Sequence, residues 1–208
     1  MDLYTAIYQR RTLRDFADQE VPMETIEKIL DAGMRAPTND HMRNWEFVVI
    51  QDKEERLRLL EKMPPRVSGN RVEKILDTWK MTDECQRAMY LDAIPKQFFM
   101  LYHSGCLILP LFQQSYPLLK PDSLSSLNAF ASIWCCIENI LLAATAEGLY
   151  AALRIPSEKE SAYMQEYLKY PADYIMPCYL GIGYPAEDAA WNLQKEYNIK
   201  DKIHRNKW

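Results

Sequence analysis

Glycine is scarce in this chain, with six glycines in 208 residues. The sequence has no G-x-x-x-x-G-K-[ST] loop and no G-x-G-x-x-G after a predicted strand, so neither common glycine-rich phosphate cradle is available. Three histidines and five scattered cysteines show no metal-ligand spacing, which argues against a metal site. An odd number of cysteines without a framework spacing favours a reducing compartment, and we expect the cytoplasm.

An excess of positive charge and a long apolar run are also missing. The net charge of −4 argues against nucleic acid and against an anionic membrane surface as partners. The N-terminus lacks a basic region followed by an apolar run, which predicts no signal peptide. The longest apolar run, residues 140–144, lies between Glu138 and Glu147 and is too short to span a membrane.

The periodicity of apolar residues predicts one α+β domain over residues 1–208, with a small mixed sheet flanked by helices. A long helix, 124–147, is apolar nearly all round and belongs in a large core or a subunit interface. The polar tail 186–208 carries Trp191 and Trp208 as isolated anchors. Further helices are predicted at 2–10, 23–35, 53–62, 86–101 and 158–168, and strands at 45–50, 106–109 (ended by Pro110), 149–155 and 174–182.

A cluster of cationic side chains follows the first predicted helix. Arg10, Arg11 and Arg14 lie within five residues, together with the hydroxyl of Thr12. Guanidinium groups match phosphate oxygens in a bidentate way, and a hydroxyl adds one more donor, so the cluster predicts an anion site. An alternative is that Arg10 and Arg11 only complement the C-terminal dipole of the helix.

Four motifs in order resemble the nitroreductase family of FMN-dependent oxidoreductases, and together they span nearly the whole chain. Residues 10–16 (RRTLRDF) resemble the family's R-R-S-x-R-x-F, and residues 36–38 (APT) with 45–47 (WEF) resemble its A-P-S…N-x-Q-P-W-x-F. Residues 138–149 resemble E-N-x-L-L-A-A-x-x-x-G-L, and residues 180–185 (LGIGYP) resemble x-G-x-G-Y-P. The resemblance implies a nitroreductase-like fold with a long central helix and an extended C-terminal tail.

The resemblance also implies which residues hold FMN. Arg10, Arg11 and Thr12 would lie at its phosphate, and Arg14 nearer the ring, where a cation favours the anionic reduced flavin. Leu153-Arg154-Ile155 would form the strand end under flavin N5, and because Pro156 has no N–H, the donor to N5 would be the backbone N–H of Arg154 or Ile155. The alternative is a plain strand end with a solvated Arg154.

Two further implied contacts depart from the family pattern. Pro37, Thr38, Asn39 and His41 match the loop that the family's partner subunit lays against the flavin, but His41 replaces an Asn, Arg43 a Gln and Asn44 a Pro. His41 could still donate to a flavin carbonyl; alternatively, His41 and Arg43 are solvated. Lys195 matches one member of the family's cationic pair near the phosphate, but Glu196 follows it, and a solvated lysine is the alternative.

The activity that the resemblance implies depends on the flavin rather than on a catalytic side chain. Hydride would pass from NADH or NADPH through flavin N5 to nitroaromatic or quinone-type acceptors by ping-pong turnover in a homodimer. Two alternatives stay open: other flavin chemistry on the same scaffold, such as reductive dehalogenation or flavin breakdown, and a flavin-binding protein without enzymatic activity.

Overall fold

The computed structural model of the chain describes residues 1–208 apart from the side chain of Asp40. Helices α1 to α8 are Leu3–Gln9, Met23–Met34, Lys53–Leu59, Gly69–Thr78, Glu84–Lys96, Phe99–Tyr102, Asn128–Ala146 and Glu158–Leu168. Strands β1 to β5 are Trp45–Ile50, Cys106–Gln113, Tyr150–Arg154, Tyr174–Ile175 and Tyr179–Gly183. Short 3₁₀ turns lie at Asn39–His41, Leu124–Leu127 and Ile199–Lys202.

The strands form one sheet in the order β1-β2-β5-β3, with the short β4 paired to β2. Each of these pairings is antiparallel, and the parallel contribution is an isolated bridge between Thr12 and Ala151 on the β3 edge. The predicted α+β class, with a small sheet flanked by helices, is therefore confirmed.

The strand at 106–109 does not end at Pro110, so that prediction is wrong. Strand β2 continues to Gln113, with Pro110 opposite Phe47 of β1. On its other side, β2 pairs with β5 up to Ile108 and with β4 from Phe112. Pro110 lies between these two pairings. Its missing N–H therefore removes no ladder hydrogen bond on that side of β2.

Two other predicted elements are divided in the structure. The helix predicted at 86–101 is α5 followed by α6, with a break at residues 97–98. The strand predicted at 174–182 is β4 and β5, separated by residues 176–178, of which Pro177 has no N–H for a ladder. In both cases the apolar pattern runs across the break, because the intervening side chains are still buried or half-buried.

Helix α7 packs along α2 and against the sheet, and its core-facing side buries Ile133, Ile137 and Ile140. A Cβ on Gly33 of α2 would lie 2.6 Å from Cγ1 of Ile140, so glycine permits this close approach. The stretch Leu124–Ala146 is long and apolar enough to cross a membrane by length and composition. In the structure, 39% of its most apolar window is buried, on the side that packs into this core.

The contacts divide the chain into two compact units. The first comprises Met1–Arg66 and Lys96–Ala190 and contains the sheet. The second comprises Val67–Pro95 and Trp191–Trp208, with Val72, Leu76 and Ile94 buried together. Within the second unit, Trp208 is 100% exposed, so the expectation that it anchors the tail is wrong for the single chain.

Candidate functional site

The arginine segment, Arg10–Phe16, runs along the β3 edge of the sheet. Thr12 forms a parallel bridge with Ala151, and the N–H of Leu13 donates to the carbonyl of Ala151 over 3.0 Å. Phe16 forms an antiparallel bridge with Pro185, just beyond β5. Backbone pairing therefore fixes the segment at its middle and at its C-terminal end.

The side chains of the arginine segment differ in burial. Leu13 is fully buried and Phe16 nearly so, whereas Arg10, Arg11 and Arg14 are half-buried. The Arg10 Nε lies 3.7 Å from Oε1 of Glu138 on α7. The buried residues thus hold the backbone, and the three arginines beside them keep part of their surface exposed.

The second predicted group, Leu153-Arg154-Ile155, lies at the end of the same edge strand. It is two to four residues beyond Ala151, roughly 7–13 Å along β3. Leu153 is half-buried, and Ile155, just past the strand, is 56% exposed. The fold therefore brings the arginine segment and the predicted N5 donor onto one edge of one sheet.

The Arg154 side chain is largely buried, so the alternative of a solvated Arg154 is wrong. Its Nη1 donates to Oε2 of Glu160 over 2.8 Å, and its Nε donates to Oε1 of Gln97 over 3.0 Å. The side chains of Arg154 and Glu160 are 15% and 4% exposed. The guanidinium is therefore occupied by hydrogen bonds within the protein. The backbone is the part of Arg154 that could bind a ligand.

Glu160 is a residue that the sequence reasoning missed. Burial alone would raise its pKa, but the hydrogen bond from Arg154, the Ser157 N–H and the Arg154 charge outweigh that effect and lower the pKa. The signal was available, because Ser157 and Glu160 form the S-x-x-E pattern of a capping box directly after a strand. The pattern marks a helix start and does not reveal the added contact with Arg154.

The proline loop, Pro37–Asn44, lies at the N-terminal end of α7. The Asn39 N–H donates to Oγ of Ser132 over 3.1 Å, and the Arg43 Nε donates to the Met34 carbonyl over 2.9 Å. His41 and Arg43 have left-handed backbones, with φ of 56° and 47°. Side-chain hydrogen bonds thus hold a loop in a conformation that non-glycine residues seldom adopt.

The proline loop and the arginine segment contact different levels of α7. Asn39 contacts Asn128 and Ser132, whereas Arg10 contacts Glu138. The separation is six to ten helical residues, roughly 9–15 Å along the helix axis. The structure of one chain thus does not join Pro37, Thr38, Asn39 and His41 to the arginines, and their role at a partner's flavin stays a prediction.

A cavity of about 310 Å³ opens beside the proline loop. Its lining is rich in uncharged polar side chains, including Thr38, Asn39, Gln113, Ser125, Asn128 and Ser132. Such a surface can bind a polar molecule or a polar face of another protein.

Lys195 lies in the second unit, where its ammonium group pairs with Asp83. The hydrogen bond from Lys195 lowers the pKa of Asp83, and the same bond raises the pKa of Lys195. Its predicted contact with a phosphate stays a prediction. Within the described residues, it is an exposed lysine with a carboxylate partner.

The cysteines have the character of packing residues. Burial raises the pKa of the thiols of Cys106, Cys136 and Cys178 to about 12, which leaves them protonated at neutral pH. Cys135 is exposed and its neighbour Cys136 is buried, so they face different sides of α7. Apart from the undescribed side chain of Asp40, no cluster of three or more possible metal ligands occurs.

Comparison with known proteins identifies the class. A model of the nitroreductase family matches residues 7–184. A relative from Methanothermobacter thermautotrophicus named "Putative NADH dehydrogenase/NAD(P)H nitroreductase" is 30% identical over 210 residues, covering 100% of this chain and 88% of its own. An iodotyrosine deiodinase from Haliscomenobacter hydrossis is 26% identical over 208 residues, covering 97% and 86%.

The fold also matches that of solved structures. A crystal structure of oxidized iodotyrosine deiodinase bound to FMN and 3-iodo-L-tyrosine matches with a TM-score of 0.68 and 21% identity over 100% of both chains. The chain belongs to the nitroreductase family. The prediction of an oxidoreductase with this fold is confirmed, and the alternative of a binding protein without enzymatic activity loses its support.

Proposed function

We propose that this protein is an FMN-dependent oxidoreductase that uses NADH or NADPH to reduce nitroaromatic or quinone-type acceptors in ping-pong turnover. The observation that carries the proposal is the pairing of the arginine segment with β3, beside the strand end at Leu153-Arg154-Ile155. FMN, when bound, supplies reversible hydride transfer at N5, which is chemistry that no protein side chain provides.

The residues on this edge fit the two ends of FMN. The guanidinium groups of Arg10 and Arg11 and the Thr12 hydroxyl are suitable donors for a phosphate, with Arg14 suited to the ring end. The Arg154 side chain is engaged by Glu160 and Gln97, and Pro156 has no N–H, so we assign the donor to N5 to a backbone N–H of Arg154 or Ile155. We assign no acid–base role to a side chain.

The proposed assembly is a homodimer with FMN at the subunit interface. Helix α1 presents an exposed apolar face that includes Leu3, Tyr4 and Tyr8, which are 64%, 70% and 79% exposed. An apolar groove of about 420 Å³ lies beside it, between α1, α2 and α7. A second copy covering these surfaces could supply the proline loop, which the single chain holds away from its own arginines.

We place this enzyme in the cytoplasm. The five cysteines are free, as expected in a reducing compartment. The partners are then small molecules, namely a nicotinamide reductant and an oxidised acceptor, with neither nucleic acid nor membrane involved.

The first test is the visible absorption spectrum of the purified protein, followed by chromatography of what acid releases. We expect a yellow protein that yields about one FMN per chain, as one cofactor per site requires. Steady-state oxidation of NADH or NADPH with a quinone should then give parallel double-reciprocal lines. A protein that stays colourless after incubation with FMN would contradict the proposal.

Reductive dehalogenation is a second candidate, favoured by the iodotyrosine deiodinase relative and by the altered residues His41, Arg43 and Asn44. In that reaction, two electrons and one proton replace a carbon–iodine bond with a carbon–hydrogen bond and release iodide. Anaerobic incubation of the dithionite-reduced holoprotein with 3-iodo-L-tyrosine distinguishes the two. Stoichiometric release of iodide together with slow quinone reduction would contradict the first proposal and support reductive dehalogenation.

A further inference from the structure

The β3–α8 turn, Arg154–Ser157, connects the proposed flavin contact to the next helix. Pro156 restricts its backbone, and Ser157 caps α8. The N–H of Ser157 donates to Oε2 of Glu160 over 2.6 Å, and the N–H of Glu160 donates to Oγ of Ser157 over 3.4 Å. These two bonds fix the turn at its helical end.

The same carboxylate also fixes the other end of the turn. Oε2 of Glu160 accepts from Nη1 of Arg154 over 2.8 Å, so one oxygen atom receives donors from the residues at both ends of the turn. Gln97, from outside both elements, holds Nε of Arg154 over 3.0 Å. A capping box needs only the contact with Ser157, so the contact with Arg154 requires a separate explanation.

The charges in this arrangement balance locally. Both side chains of the Arg154–Glu160 pair are largely buried, and a buried ion pair interacts more strongly than an exposed one. Removing only the carboxylate would leave the guanidinium unpaired at the end of the strand that carries the proposed N5 contact.

We propose that Glu160 is a positioning residue for the flavin: it fixes the backbone N–H at residues 154–155 toward N5 and neutralises Arg154 beside it. This inference rests on the proposed function. It assigns to Glu160 two effects on bound FMN, one through the geometry of the turn and one through charge. A cap that only stabilises α8 would have neither.

Glu160→Gln in the holoprotein tests both effects, with Glu158→Gln as the matched control. Glu158 is an exposed glutamate in the first turn of the same helix, so it shares the helix-dipole contribution and lacks the contact with Arg154. For Glu160→Gln we expect a less negative midpoint potential of bound FMN, because an unpaired cation favours the anionic reduced flavin. FMN affinity should stay within ~3-fold of wild type, because the phosphate donors are unchanged.

Amide hydrogen exchange of the apoprotein provides a readout that needs no flavin. In Glu160→Gln, exchange at the backbone amides of residues 154, 155 and 157 should be ~10-fold faster or more, relative to the β1–β2 ladder of the same sample. Glu158→Gln should match wild type in both measurements. If Glu160→Gln is folded, with unchanged exchange in the turn and an unchanged potential, the proposal is wrong.

A double variant keeps the test decisive if Glu160→Gln does not fold. Arg154→Met with Glu160→Gln removes both charges, which a folded core tolerates better than one unpaired charge. We expect this variant to show fast exchange in the turn without the rise in potential. Native exchange in the turn of a folded double variant would overturn the inference. A wild-type protein that binds no FMN would instead overturn the proposed function, and the inference with it.

Discussion

The arginine segment and the proline loop are both candidate flavin contacts, but the structure holds them in different ways. Backbone bridges to Ala151 and Pro185 fix the arginine segment, so its polar side chains do not determine the path of the chain. The proline loop depends on side chains, through the bonds of Asn39 and Arg43, and contains left-handed residues. We therefore expect a polar substitution in the arginine segment to change ligand binding without changing the backbone. A substitution in the proline loop should change the backbone conformation as well.

The largest expected effect is on the chemistry of the arginine segment. Replacing Arg10 and Arg11 together by alanine should weaken FMN binding by ~100-fold or more, since hydrogen bonds to charged groups contribute about 1.5–3 kcal/mol each. Fluorescence titration of the apoprotein with FMN measures this affinity. Arg58→Ala, which removes an exposed cation paired with Glu55, is the control and should bind FMN normally.

The scaffold of the same segment can be tested separately from its chemistry. Leu13 is 0% exposed between the arginines, so Leu13→Ala should lower the free energy of unfolding by about 2–5 kcal/mol. Urea denaturation followed by circular dichroism measures the loss. Leu57→Ala, at a leucine that is 52% exposed, should cost much less. Equal losses would show that Leu13 does not anchor the segment.

A third test concerns pH and extends the comparison to the β3–α8 turn. The pKa of Glu160 is lowered in the folded protein, so its ion pair stabilises the fold above the unfolded value of about 4.3. This contribution is lost as pH falls through the lower folded pKa. The difference in unfolding free energy between wild type and Glu160→Gln should shrink below about pH 4.3. A constant difference from pH 7 to pH 3 would contradict the assignment.

The smallest expected effect is in the proline loop. Asparagine tolerates the left-handed region better than histidine, so His41→Asn should raise the free energy of unfolding by less than about 1 kcal/mol. Thermal unfolding is the measurement. His204→Asn, at an exposed histidine outside the left-handed region, should show no gain. A destabilised His41→Asn protein would mean that the imidazole itself holds the loop.

Local patterns predicted the elements whose boundaries depend on local chemistry. Helix α8 begins and ends where predicted, because its capping box and apolar spacing are both contained in the segment itself. Strand β2 passes through Pro110 because the neighbouring strands leave a gap there, and that gap depends on residues more than 60 positions away.

The candidate site was predictable to a similar extent. The motif predicted the arginines as phosphate contacts, which stays a prediction, and the fold pairs Thr12 beside them with Ala151 of the strand that ends at Leu153-Arg154-Ile155. The commitment of Arg154 to Glu160 and Gln97 could not be read from the sequence, because Gln97 is 57 residues away and contributes no motif. Whether the proline loop and Lys195 contact FMN depends on a second copy or on bound ligand, which no local pattern encodes.

The single oxygen atom shared by Arg154 and Ser157 has a consequence for how this sequence can change over time. Loss of Glu160 alone leaves a buried cation without its carboxylate, and loss of Arg154 alone leaves a buried carboxylate without its cation. Positions 154 and 160 should therefore vary as a pair among descendants of this chain. Lineages in which one has lost its charge should have lost the other as well.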